Sequence, residues 1–144
     1  MTQVIKGLAE MMFPMVRFYK NVFVVLKDAE LCANWNMRAF NSKNYLKSQY
    51  IDREGNQFQI ANARIVAGRG PLWGYNLGFN RLIKVDLDFV QMSPMSLDDI
   101  KRNIQVSLEE WEGWGQNPNL RKIRNAVKES SSIPVLVLAL SDLI

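Results

Sequence analysis

Apolar and polar residues alternate with a period of two over most of residues 15–91, and recur at helical spacing from residue 96 onward. Strands first and helices last is the order of an α+β domain rather than of alternating βαβ units. Arg81 to Val90 is the plainest strand, with Ile83, Val85, Leu87 and Phe89 on one face and Lys84, Asp86 and Asp88 on the other. One wet face places it in an antiparallel sheet. Val22 to Leu26 is apolar on both faces, so it is predicted to be central. Tyr45 to Ile51 and Gln57 to Val66 flank Asp52-Arg53-Glu54-Gly55-Asn56. Gly55 and Asn56 both tolerate positive φ, and the spacing predicts a hairpin. In its second arm the apolar set changes phase, from Phe58 and Ile60 to Ala61, Ala63 and Ile65, which requires a bulge near Ile60.

Ser96 to Trp111 is the clearest helix. Ser96 is its cap, Asp98 and Asp99 sit in the first turn where the macrodipole favours them, and Leu97, Ile100, Ile104, Leu108 and Trp111 form one apolar stripe. Asn119 to Lys128 predicts a second helix, with Leu120, Ile123 and Val127 inward. In residues 132–144, Ser132 followed two positions later by Pro134 is a helix start, and the apolar run after it is read as a third helix despite the alternation of Val135 and Val137. Val4, Ile5, Leu8 and Met11 give the first twelve residues a loose helical pattern that Pro14 ends. The expected fold is a single α+β domain over 1–144, an antiparallel sheet of four or five strands packed on one face by two or three C-terminal helices.

Composition narrows the chemistry. The chain has 144 residues, no histidine and one cysteine, Cys32. Histidine is the side chain whose unperturbed charge change falls near neutral pH. Without it, Ser-His-Asp triads, His-based metalloprotease motifs and most zinc sites are excluded. Cys32 has one basic residue within five positions, Lys27, and reads as a small buried residue rather than an activated thiolate. A lone cysteine forms no internal disulfide, which fits a reducing cytoplasm. No apolar run reaches the roughly 18 residues of a membrane helix. Glu10, Arg17 and Lys20 break up a signal-peptide pattern at the start. The expectation is a cytoplasmic protein with no membrane partner, no metal and no cofactor.

Net charge is +4, and residues 1–95 hold twelve basic and seven acidic residues against six and seven in residues 96–144. The excess favours a partner with an acidic face but falls short of a dense nucleic-acid-binding stripe. Arg121, Lys122, Arg124 and Lys128 share a helix face, and Arg64, Arg69, Arg81 and Lys84 form an acid-free stretch. Both read as solvated charge with weak, salt-sensitive nucleic-acid binding at most. Asp86 and Asp88 share a strand face beside Lys84; Asp52 and Glu54 bracket a turn. Paired carboxylates do acid–base or metal work only where a pocket shifts them, and the wet-face pattern makes these solvated charges.

The segment 68–79 holds four of the eight glycines together with Trp73, Tyr75 and Phe79. Phosphate cradles need a helix after the glycines, and here a strand follows. Two readings remain: cover for one end of the core, or a stiff aromatic loop that anchors a partner. Trp, Tyr and Arg are the residue types enriched in binding hot spots. Arg69, Trp73 and Tyr75 are therefore the candidate partner-binding residues, with Trp114, which sits between two glycines, the next. The expected function is non-catalytic protein binding, in concrete form a small bacterial immunity or antitoxin-type protein that caps its partner. An RNA- or DNA-binding domain is the first alternative and a carboxylate-dependent enzyme the second.

Overall fold

The strand most legible in the sequence is the hub of the sheet. β7 (Leu82–Gln91) pairs antiparallel along one edge with β6 (Gln57–Gly68). On its other edge β1 (Ile5–Gly7) and β4 (Asn34–Asn36) lie end to end, opposite residues 88–90 and 82–84. Beyond β6 come β5 (Gln49–Ile51), β2 (Met15–Tyr19) and β3 (Val22–Leu26). This computed structural model describes residues 5–20, 22–68, 82–112 and 119–144. Within them the fold is α+β, with seven antiparallel strands and five helices: α1 (Ala29–Ala33), α2 (Met37–Ser42), α3 (Leu97–Glu112), α4 (Leu120–Glu129) and α5 (Ile133–Leu143). None of these helices is long and apolar enough to cross a membrane. The sheet exceeds the expected four or five strands because β1 and β4 have three residues each, too few for an alternation to register, and the five residues of β2 are apolar or aromatic on both faces apart from Arg17.

Two cores sit on opposite faces of the sheet. Ile83, Val85, Leu87 and Phe89 of β7 are buried in the first, with Met15, Leu26, Cys32, Trp35, Tyr50, Phe58 and Ile60. Val16, Phe18, Phe23 and Ile51 belong to the second, under Ile100, Ile104 and Leu108 of α3, Ile123 and Val127 of α4, and Leu136, Val137 and Leu140 of α5. The register of β6 shifts between Ile60 and Asn62, so the phase change in the sequence is a bulge that keeps both Ile60 and Ala63 toward the first core.

Three expectations change. β3 ends the strand order instead of lying centrally. It is apolar on both faces because both layers reach it: Phe23 and Val25 join the helical core, Val24 and Leu26 the other. The N-terminal segment is β1 and a 3₁₀ turn (Leu8–Glu10), not a helix. The open edge of β7 pairs with β1, and Leu8 and Met11, three apart, both pack on the first core. The arm expected from Tyr45 is strand only from Gln49, preceded by a 3₁₀ turn (Asn44–Lys47). Lys43 adopts a left-handed φ of 57° between α2 and that turn, and the Tyr45 ring packs against Trp35, 4.9 Å between centroids.

Side-chain caps fix the joints. Ser96 Oγ accepts from Asp99 N–H at 3.2 Å and Ser132 Oγ from Val135 N–H at 3.3 Å, which starts α5 as a helix. Asp52 is 2% exposed, not a solvated charge. Its Oδ1 accepts from Glu54 N–H at 2.9 Å and Asn56 N–H at 2.8 Å, closing the β5–β6 hairpin. Gly55 has φ +90°, and a Cβ there would stand 3.3 Å from Pro134 Cδ, so the turn seats directly on the start of α5. Gln57 is buried and clamps the link from β7 to α3: its Nε2 donates to Met95 O at 3.0 Å and its Oε1 accepts from Met95 N–H at 2.8 Å.

Candidate functional site

Arg69, Trp73, Tyr75 and Trp114, the residues picked for partner binding, lie outside the described residues, as does the side chain of Trp111. The charged features that are described can be placed. Arg64 of β6 faces Asp86 and Asp88 of β7 on the open face of the sheet, one guanidinium nitrogen 2.9 Å from Asp88 Oδ2 and the other bonded to Asp86. The two carboxylates hold the guanidinium pKa above its ordinary value. One guanidinium against two carboxylates leaves this exposed triad with a net charge of −1, and with both carboxylates bonded to Arg64 it presents neither a free carboxylate dyad for acid–base work nor a free cation. On α4, Arg121, Lys122 and Lys128 are exposed. A 240 Å³ groove between α3 and α4 brings Glu109 together with Arg124 and Lys128, which dilutes the basic face. Among the described residues no three His, Cys, Asp or Glu side chains are grouped to hold a metal ion.

Cys32 lies in the first core, 2% exposed. Burial pushes its thiol up from about 9 to about 12, and the nearby Arg17 only partly opposes that. The thiol is protonated at neutral pH and is no nucleophile. Because the folded value is raised, the native state binds the extra proton between about pH 9 and 12. This contribution to stability is complete below pH 9 and is lost as pH rises toward 12. A disulfide exchange reagent at pH 8 is expected to leave the native protein almost unlabelled and to label the urea-unfolded chain with one equivalent. Rapid labelling of native protein would contradict the burial.

One cleft combines cationic, aromatic and neutral polar groups. Its volume is 380 Å³, and it lies where β2 meets β4, α2 and the Asn44–Lys47 turn. Arg17 reaches it from β2, in register with Tyr50 and Val24, so it points to the first-core side of the sheet. Arg17 is half-buried, and its guanidinium meets the Tyr50 hydroxyl, a neutral partner. Arg38 stands exposed at the rim on α2. Trp35 forms part of the wall, with its indole Nε1 donating to Cys32 O at 2.9 Å. Tyr45 packs on Trp35, and Phe40 backs Tyr45 at 6.1 Å between ring centroids. Tyr19 completes the aromatic lining, and no aspartate or glutamate is among the described lining residues.

A half-buried arginine that hydrogen-bonds a phenol, with no carboxylate among the described lining residues, keeps its charge uncompensated within the cleft. That arrangement attracts an anion. The volume is in the range of ligand pockets, roughly 300–1,000 Å³. Sequence reading missed this cleft because its residues are spread from Arg17 to Ser48 over four short elements. The available signal was Arg17 itself, the one charge in the otherwise apolar or aromatic Met15-Val16-Arg17-Phe18-Tyr19.

Compared with protein-family models, curated proteins and solved structures, the chain has no match.

Proposed function

We propose that this chain is a non-catalytic protein-binding domain, of the immunity or antitoxin kind, that works in the cytoplasm by capping a partner with an acidic surface. The observation that carries the reading is the Arg17–Arg38 cleft, where two guanidiniums and three aromatic rings line one concavity with no described carboxylate. Arginine and aromatic residues are the anchor types of protein interfaces. A net charge of +4 favours encounter with an acidic face. Acid–base catalysis has little to work with in the cleft: the chain has no histidine, and the nearby thiol stays protonated.

The test is affinity capture from the source cell at near-physiological salt, with wild type beside the double variant Arg17→Gln/Arg38→Gln. One protein retained at 1:1 by wild type and lost by a folded variant supports the reading. Nucleic acid retained in place of protein, or equal capture by both forms, overturns it.

A further inference from the structure

We infer that the cleft recognises a carboxylate beside an aromatic side chain, that is, an acidic residue adjacent to a ring on an exposed segment of the partner protein. This inference rests on the binding reading above and specifies its anchor.

The charge count within the cleft selects the anion. Among the described lining residues Arg17 is the only half-buried cation; Arg38 is exposed at the rim, and none of them is a lysine. A monoanionic carboxylate matches one guanidinium, whose planar fork donates two parallel N–H bonds to it. A phosphate monoester brings about −1.5 to −2 charges. It would call for a second cation at depth, and Arg38 is not there. Next to Arg17 the wall becomes aromatic. Tyr19 and Tyr45 are both half-buried, and Tyr45 is held by Trp35 behind it. A ring entering beside the carboxylate meets a surface already fixed by packing, which limits the entropy lost on binding. Trp35 cannot swing away without giving up its hydrogen bond to Cys32 O.

The experiment uses two capped tetrapeptides, acetyl-Ser-Asp-Phe-Ser-amide and its Asn-for-Asp counterpart, with inorganic phosphate and a nucleoside monophosphate as further probes. Affinities are read by titration calorimetry and the site by amide and indole shifts in NMR. Wild type is expected to bind the Asp peptide about tenfold more tightly than the Asn peptide, the equivalent of one charge-assisted contact. The shifts should centre on Arg17, the Trp35 indole and Tyr45. Arg17→Gln should remove the preference; Arg17→Lys, which keeps the charge without the fork, should keep part of it; Arg38→Gln should reduce it less than Arg17→Gln. The comparison of the two peptides on wild type needs no variant, so it stands even if Arg17→Gln misfolds.

Equal affinity for the two peptides, no binding of either, or a preference that survives in Arg17→Gln overturns the carboxylate inference. Each leaves the capping reading to the capture experiment. A nucleoside monophosphate that binds the cleft more tightly than either peptide overturns both.

Discussion

Phe89→Ala is expected to lower the free energy of unfolding by about 3–5 kcal/mol, the usual cost of deleting a buried aromatic ring. Phe89 is fully buried on β7 and meets two other rings edge-on, Tyr50 at 5.2 Å and Phe58 at 6.4 Å between centroids. Such pairs add about 0.5–1.5 kcal/mol beyond area burial. Both partners are themselves 1% exposed, so neither has an easy path to fill the space left behind. Across the ladder Phe89 opposes Ile60, directly beside the bulge that sets the phase of β6. The expected effect therefore lies toward the upper end of the range. Urea unfolding checks it. A loss below about 1 kcal/mol would mean that this ring cluster repacks freely, contrary to its geometry.

Phe89 also shows which parts of the fold could be read from the sequence. Long elements with one buried face declare themselves: β6, β7 and α3 to α5 were all legible, because ten or more residues give a period time to repeat. Residues 27–47 were not. They form two helices of five and six residues, a three-residue strand and a 3₁₀ turn. Their local signals are caps instead of periods: Asp28 Oδ1 accepts from Leu31 N–H at 2.8 Å and Asn36 Oδ1 from Ala39 N–H at 2.7 Å. β3 misled for another reason. A double-sided apolar strand is expected in the middle of a sheet, but cover from two layers produces the same pattern at its end.

The candidate site was less legible than the fold. Glycine-flanked aromatics drew attention to 68–79, whereas the cleft that can be described assembles Arg17, Trp35, Arg38 and Tyr45 through tertiary contacts with no sequence spacing of their own. Arg17 alone carried a local cue, a charge where the β alternation points inward. Asp52 is the converse case. Its neighbours Arg53 and Glu54 made it look like surface charge, but three hydrogen bonds, two from backbone N–H groups and one from the Asn56 side chain, make a buried carboxylate tolerable. Sequence patterns report the period of burial. They do not report which polar side chains find partners once buried.

Leu108→Ala is expected to destabilise the protein by about 2–5 kcal/mol, and it tests the other face of the sheet. Leu108 is fully buried on α3, at four-residue intervals from Ile104 and Ile100 along one stripe. That stripe packs with Ile123 and Val127 of α4 and with Leu136 and Leu140 of α5, so truncation opens a void where three helices meet above β2 and β3. Rigid secondary elements on several sides limit collapse, which favours the larger part of the range. The two core clusters share no residue, so the helical layer should loosen more than the ring cluster around Phe89. Hydrogen exchange would show this as a larger loss of protection in α3 to α5 than in the β6–β7 ladder. Equal loss in both would mean that the faces unfold as one unit. A urea midpoint unchanged from wild type would mean that Leu108 lies off the buried stripe.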